Sequence, residues 1–372
     1  MRESLLRWRD RLIASTRFQH RASRFPLTRP IARKRARELF DIATGFVYSQ
    51  VLAACVRADL FEFLADGPRS VTEIATAIAL PEDATERLLK AAAALRLLQP
   101  RRGGYGLGDL GAAVRGNPGV GAMVAHHEHL YRDLTDPLAL LRNRADTSLS
   151  GYWPYDSEGT DEVKDYSELM SASQSFVAED ILDAYPMDRH RHLWDIAGGL
   201  GTFISSALKR WPDLSATVLD LPPVAAMAAG RLSAAGLAHR ATALAGDMFK
   251  TPLEGVRPDG VTPAAEWNKP DLVSLVRVVH DHDDEPVKQL FRALKSSMPP
   301  GARLLLAEPM ADTAGAKAMG DAYFGMYLWA MGSGRPRSAP ELRDMLEEAG
   351  FSNCRELKSH RPLLVRILLA DA

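Results

Sequence analysis

Cysteine is nearly missing from this chain. The two present among 372 residues, Cys55 and Cys354, lie far apart and show no CxxC spacing, which excludes a disulfide framework and a thiolate metal cage. A reducing cytoplasm is the compartment this implies. Long uncharged apolar runs are scarce too: none approaches the roughly 20 residues that a bilayer-spanning helix needs, so the chain reads as soluble. There is no internal repeat and no low-complexity tract. Nor is there a large excess of charge, the net value being -1.

That near-neutrality hides an asymmetry. Residues 1 to 40 carry twelve Lys and Arg against Glu3, Asp10 and Glu38, or +9, which leaves -10 for the remainder. Leu5, Leu6, Trp8, Leu12 and Ile13 stand between the arginines, without the continuous apolar core of a secretory signal. Such an arm, residues 1 to 37, suits either contact with anionic lipid or a solvated, partner-wrapping role.

With 46% hydrophobic residues the chain can bury a sizeable core, and its length points to two domains of unequal size. Residues 38 to 143 are helical and rich in Ala and Leu. "LFDIATGFVYSQVLAACVRADLFEFLADG" has an apolar face wide enough to predict burial, a subunit interface included. In the next stretch Ser70 and Glu73 form a capping-box pattern and Pro81 can open the second helix. "PRRGGYGLGDLG" then reads as a hairpin. Helix, helix, hairpin is a winged-helix order, with Arg87, Lys90, Arg96, Arg101 and Arg102 where DNA contacts would fall. The run Ala91 to Ala94 and the weak overall charge favour a dimerisation module over nucleic-acid binding.

Residues 144 to 372 change rhythm after a loop, "SGYWPYDSEG", and a helix around Tyr166 to Tyr185. Seven β-type runs alternate with helical ones: "HLWDIA", "ATVLDL", "ATALAGD", "DLVSLVRVV", "ARLLLAEPM", "CRELKS" and "PLLVRILLA". This predicts an α/β domain, a mostly parallel sheet covered by helices on both faces. The first run ends in "DIAGGLGTF". A dinucleotide fingerprint would need a third glycine at position 204, which is Ile204. What remains is an acid followed by small residues: Asp195, Ala197, Gly198, Gly199 and Gly201. An acid at such a loop repels pyrophosphate and suits a cationic amine, such as that of S-adenosylmethionine. Asp220 ends the second run, where it can take two ribose hydroxyls, with Leu221 beside it. Asp247 ends the third, placed to accept from an adenine amino group between Met248 and Phe249.

The fourth run enters "RVVHDHDDEPV", which packs His280, Asp281, His282, Asp283, Asp284 and Glu285 together. By spacing alone this suits a metal, a catalytic base with its supports, or a solvated turn.

In motif order, "DIAGGLG", "LDLPPV", "GDMF", "VVHDHDDE" and "LLLAEPM" resemble the S-adenosylmethionine-dependent O-methyltransferases that join a winged-helix dimerisation domain to a class I methyltransferase domain. The resemblance covers about residues 38 to 370. It implies a Rossmann-like seven-stranded sheet, a homodimer formed through the N-terminal domain, His280 as the general base, and Glu308 as the carboxylate that orients it. His282 is the fallback base, and the acids after it become caps and solvated charges. No metal is required, because a sulfonium already activates its methyl. Three departures stand out. Ala197 replaces a usual glycine, Val276 replaces a usual basic residue with Arg277 one place later, and Pro336 occupies the position of a second carboxylate, which predicts a less firmly polarised His280.

Within that family the arginine-rich arm, "LFDIATGFVYSQVL", "HHEHLYRDLTDP" and "GRPR" are similar to the carotenoid hydroxyl methyltransferases of purple photosynthetic bacteria, the hydroxyneurosporene or demethylspheroidene type. The acceptor implied is hydrophobic, the tertiary C-1 hydroxyl of an acyclic carotenoid, reached at a membrane surface with which the arm could make peripheral contact. His126, His127 and Met170 ahead of the sheet, with Tyr323, Phe324, Tyr327 and Met331, are the expected pocket. The rivals are a phenolic or polyketide hydroxyl on the same fold, a metalloenzyme using His280, Asp281 and His282, and a winged-helix regulator with a ligand-sensing domain.

Overall fold

The computed structural model describes residues 2–143, 147–151, 171, 174, 176–250, 269–362 and 364–372. The chain divides into two compact units, Met1–Asn117 and Pro118–Ala372.

The first unit opens with three helices, Arg2–Ala14, Thr16–Arg24 and Arg29–Arg57. Ser15 caps the second, its hydroxyl accepting from the Phe18 N–H. The third runs well ahead of Glu38 and differs from the sequence expectation. Its wide apolar face predicts burial, yet within one chain only Ala53 and Cys55 are buried, and Leu39, Phe40, Ile42 and Phe46 are 60% to 80% exposed. By length and composition it is also apolar enough to cross a membrane, which corrects the reading that no run is: Asp41 is its only charge from Leu39 to Val56. The same composition suits a face covered by another protein surface, and its C-terminal part enters this unit's core through Cys55.

That core is built as the winged-helix order predicts. Ser70 and Glu73 close a capping box on Val71–Ala77, and Pro81 is the N-cap of Glu82–Ala94. Strands β1 (Leu98–Arg101) and β2 (Gly104–Leu107) pair antiparallel across a two-residue turn. Ile74, Leu89, Ala92, Leu97 and Leu98 join Cys55, Leu60 and Phe61 beneath them. Lys90 is paired with Glu86 and Arg96 with Asp109.

The second unit begins earlier than residue 144. Helices Pro118–Asp133 and Pro137–Arg142 belong to it, because side chains far along the chain hold them: His126 meets Tyr327, and the Trp329 indole N–H donates to the Leu140 carbonyl at 2.9 Å. The sheet has seven strands: β3 (His192–Ile196), β4 (Ser215–Asp220), β5 (Ala241–Ala245), β6 (Leu272–Val276), β7 (Arg303–Glu308), β8 (Ser352–Leu357) and β9 (Arg366–Asp371). Their order is β5-β4-β3-β6-β7-β9-β8, parallel from β5 to β7, with β9 antiparallel to both its neighbours.

Alternation along β3 serves two cores. Leu193 packs with Phe203, Ala207 and Val218 on one face, while Trp194 and Ile196 pack with Leu275, Phe291 and Leu304 on the other. Burial on both faces explains the near-continuous apolar runs. Each fully buried Leu or Phe contributes about 1.5–3 kcal/mol. Strand order reverses between β3 and β6, so the carboxyl ends of those strands diverge into a crevice, where open α/β sheets bind ligands.

Candidate active site

Asp195, on β3, is buried at 1% exposure. Its Oδ1 accepts from the Ser274 hydroxyl on β6 at 2.6 Å, whereas Oδ2 is buried without a partner. Burial pushes its carboxyl up to about 7, with the Ser274 hydrogen bond opposing and Asp220 adding to the rise. The bend that follows is left-handed at Ala197, Gly199 and Gly201, with φ of 51°, 58° and 72°. Glycine is at ease there and alanine is not, so Ala197 holds roughly 1–2 kcal/mol of strain. A Cβ on Gly198 would collide with Asp195 Oδ2 and Val218. Asp195 thus keeps an enclosed carboxylate oxygen without a partner beside backbone that carries no side chain, a donor set compatible with a cationic amine.

Asp220 ties this bend to β4. Its Oδ2 accepts from the Gly199 N–H at 2.7 Å and its Oδ1 from the Leu221 N–H at 2.8 Å, leaving each oxygen a lone pair for a hydroxyl. Burial raises its carboxyl to about 6. Asp247 lies beyond β5. Partial burial pushes its carboxyl up, but the Phe249 N–H at 2.9 Å and Lys250 at 3.0 Å outweigh that and leave it below its ordinary value. Met248 packs against the sheet core, and Phe249 meets the His282 ring edge-on with centroids 4.9 Å apart.

His280 sits in the short 3-10 turn Val279–Asp281 after β6, 6% exposed. Its Nδ1 is 2.5 Å from Oε2 of Glu308, the last residue of β7. The other oxygen of Glu308 accepts from the Val278 and Val279 N–H groups, both at 2.9 Å. On the far side of the ring, Nε2 is 3.2 Å from Asp281 Oδ1. Burial alone would lower the imidazole pKa; Asp281 and Glu308 outweigh it and raise the value above the ordinary one. Asp281 itself is pushed up to about 6 by burial. Pro336 stands where the family's second carboxylate falls, and the carboxylates beside the ring are Glu308 at Nδ1 and Asp281 near Nε2. His282 is half-buried rather than free on the surface, and burial pushes it down to about 4. Arg277, with φ of 59°, donates its N–H to the Ala307 carbonyl, and its charge opposes protonation of His280.

Sequence reasoning missed the support beneath this turn. Arg337 is 2% exposed and donates to the Val279 and His282 carbonyls, each at 2.7 Å, while its Nε reaches Asp284 at 2.9 Å. Arg335 grips both oxygens of the same Asp284. Ser333 Oγ donates to the Asp281 carbonyl at 2.7 Å and the Gly334 N–H to Asp283 at 3.1 Å. Asp283 does occupy the N-cap of Asp284–Ser297, but its side chain makes no capping bond, and Asp284 is an arginine anchor rather than a solvated charge. Gly334 is left-handed at φ +81°, and a Cβ there would collide with the His280 carbonyl. The signal was "GRPR": a glycine beside two arginines, facing a cluster of acids.

Next to His280 the structure brings four residues, His280 included, into one chain of rings. Phe324 meets His280 edge-on at 5.8 Å between centroids, Tyr323 meets Phe324 at 5.0 Å, and Tyr327 meets Tyr323 at 5.8 Å. Tyr323 and Phe324 lie in a π-helical segment, Ala318–Phe324, that leads into the helix Gly325–Met331. His127 Nε2 is 2.8 Å from the Tyr323 hydroxyl and His126 Nε2 is 2.8 Å from that of Tyr327. Burial lowers the pKa of both histidines, His126 to about 4, so these pairs are neutral. Met331 is 3% exposed within a small core with Leu130, Leu140 and Leu149, so it packs rather than lines a space. Met170 lies outside the described residues. Among the described residues no three His, Cys, Asp or Glu side chains converge as a metal site.

The strand order and the crevice it opens are those of the class I methyltransferases. The chain belongs to the O-methyltransferase family: the family's O-methyltransferase domain matches residues 131–352, and its dimerisation domain matches residues 40–114. It is 39% identical to demethylspheroidene O-methyltransferase of Cereibacter sphaeroides over 97% of this chain and 93% of that one. The Rhodobacter capsulatus enzyme of the same name is 36% identical over 97% of this chain and 88% of its own. The 3-hydroxy-5-methyl-1-naphthoate 3-O-methyltransferase of Streptomyces sahachiroi is 27% identical over 87% of this chain and 92% of its own. Among solved structures, human N-acetylserotonin methyltransferase in complex with S-adenosylmethionine shares the fold, with a TM-score of 0.74 at 23% identity over 90% of this chain and 97% of that one.

Proposed function

We propose that the enzyme methylates the tertiary C-1 hydroxyl of an acyclic carotenoid of the hydroxyneurosporene or demethylspheroidene type, with S-adenosylmethionine as donor. The observation that carries methyl transfer is the buried Glu308–His280–Asp281 row at the same sheet edge as the unpaired Asp195 oxygen. The relatives named for demethylspheroidene support the acceptor.

Bound at this edge, S-adenosylmethionine supplies an electrophilic methyl on a sulfonium. Asp195 Oδ2 would face its amine, Asp220 would take the ribose hydroxyls, Asp247 would take the adenine amino group, and Met248 and Phe249 would flank the ring. Leu221, Arg277 and the backbone from Ala197 to Gly201 complete that side. Glu308 holds the His280 ring by its Nδ1–H, which leaves Nε2, beside Asp281, as the nitrogen that would accept from the acceptor hydroxyl. A tertiary alcohol is too weak an acid to ionise beforehand, so Nε2 takes the proton as charge develops on oxygen. Asp281 stabilises the imidazolium that results. His282, held neutral and weakly basic, is the poorer base. Phe324 and the paired tyrosines and histidines exclude water and offer an apolar wall, where alignment supplies much of the rate.

The protein works as a homodimer through the N-terminal unit, in the cytoplasm, where its two free thiols stay reduced. Incubation with labelled S-adenosylmethionine and a panel of hydroxycarotenoids and phenols tests the reading. Label is expected on the hydroxycarotenoids. Label on phenols alone would assign the phenolic acceptor class, and no transfer despite cofactor binding would overturn methyl transfer by this chain.

A further inference from the structure

We infer that residues 2–37 form a peripheral anchor for anionic lipid bilayers. The arm holds all twelve of the Lys and Arg that face only three acids in residues 1 to 40. It is folded into the helices Arg2–Ala14 and Thr16–Arg24 and the start of Arg29–Arg57. Five of its apolar side chains are left in solvent: Leu5, Trp8, Phe25, Leu27 and Ile31 are 55% to 79% exposed, while Leu6, Leu12, Ile13 and Phe18 are half-buried. Leu5 and Trp8 stand one turn apart on the first helix, with Arg7, Arg9 and Arg11 interleaved.

A nucleic acid would use the guanidinium groups and leave Leu5, Trp8, Phe25, Leu27 and Ile31 in water. A neutral protein surface would use the apolar residues and leave the charge uncompensated. A bilayer bearing anionic headgroups takes both, with rings and aliphatic chains at the headgroup boundary and arginines on the phosphates. The family's dimerisation domain begins only at residue 40, so the arm lies outside the segment that serves subunit contact across the family. The two demethylspheroidene enzymes align over 97% of the chain, which leaves too few residues out to omit the arm. The purpose assigned to the anchor, access to a membrane-dissolved polyene, rests on the acceptor reading; lipid binding itself does not.

The test is sedimentation of the full-length enzyme with phosphatidylcholine vesicles, with and without phosphatidylglycerol, across a salt series. Binding is expected to require phosphatidylglycerol and to weaken with salt. The triple variant Arg17→Gln, Arg21→Gln, Arg24→Gln should partition about 100-fold more weakly, at about fivefold per basic residue. Leu5→Ser with Trp8→Ser should weaken binding even at low salt. Circular dichroism and gel filtration establish that each variant is folded.

Equal partition onto neutral vesicles, or variants that bind like the parent, overturns the proposal. So does binding that resists alkaline carbonate, which would assign the anchor to Arg29–Arg57, or duplex DNA that displaces vesicles while the serine variant binds unchanged. An enzyme that methylates a detergent-dispersed hydroxycarotenoid but never binds vesicles overturns the anchor and leaves the acceptor reading. Anionic-vesicle binding by an enzyme that methylates only phenols does the reverse.

Discussion

The Nδ1 of His280 and Oε2 of Glu308 stand 2.5 Å apart, and the same carboxylate accepts the backbone N–H groups of Val278 and Val279. One side chain thus fixes both the imidazole ring proposed as the base and the turn that carries it. His280→Ala should lower kcat by about 10²–10⁴-fold, the usual contribution of a positioned base. Glu308→Gln should lower kcat by about 10²-fold with little change in cofactor affinity, measured by isothermal titration, since the amide oxygen can keep both backbone bonds while the neutral amide cannot stabilise the imidazolium.

Asp195 predicts a pH-dependent cofactor affinity. Its folded-state carboxyl stands at about 7 against an ordinary value of 3.8. A raised folded value contributes stability that is complete below the unfolded pKa and lost as pH climbs through 7. A cation on Oδ2 cancels that loss. S-adenosylhomocysteine, which keeps the amine, should therefore bind more tightly by about tenfold per pH unit toward pH 7 and then level off, because one proton must leave. Thermal-shift titrations from pH 5 to 8 measure the slope, and Asp195→Asn should abolish it.

Arg337 predicts a structural cost with a catalytic readout. Its removal leaves the Val279 and His282 carbonyls and Asp284 without their shared donor. Arg337→Met should cost about 2–4 kcal/mol, in the range for a buried charged donor with several partners. Arg337→Lys should recover part of the melting temperature but less of kcat, because an ammonium cannot reproduce the fork that spaces the two carbonyls. Gly334→Ala should be as damaging as either, since its Cβ meets the His280 carbonyl.

Ala197 predicts an improvement. At φ of 51° alanine is strained, so Ala197→Gly should raise stability by up to about 1 kcal/mol, or roughly 2–4 °C in melting temperature, without loss of kcat. A lower melting temperature would place the strain elsewhere.

The exposed face of Arg29–Arg57 predicts a subunit contact. Ile42→Glu with Phe46→Glu should convert dimer to monomer in sedimentation velocity, because both side chains are at least 67% exposed in one chain and a buried unpaired charge is costly.

Much of the fold, and the place of several candidate residues in it, was legible in the sequence because the signals are local. Strand-end acids, a glycine bend and a capping box each occupy a few consecutive residues, so the positions of Asp195, Asp220 and Asp247 at the sheet edge, and of Ser70 as a helix cap in the first unit, could be read without knowing the fold. The same locality misled at Asp284, whose place in a helix's first turn suggested a solvated charge. Its arginines come from about 50 residues downstream. Nor does the sequence alone bring Asp281 to within 3.2 Å of His280 Nε2, because its orientation depends on how the turn is held.

By itself the sequence determined the order of elements, the two-unit plan and the edge of the sheet at which the chemistry falls, since hydrophobic periodicity and turn residues act over short range. Only the tertiary structure decided which groups meet: Glu308 on His280, Arg337 under the turn that carries His280, Tyr327 on His126, and the apolar face of Arg29–Arg57 left uncovered. Those pairings join residues tens to hundreds of positions apart, and their partners are chosen by packing and by the cost of leaving a buried polar group unsatisfied, which no short stretch of sequence encodes.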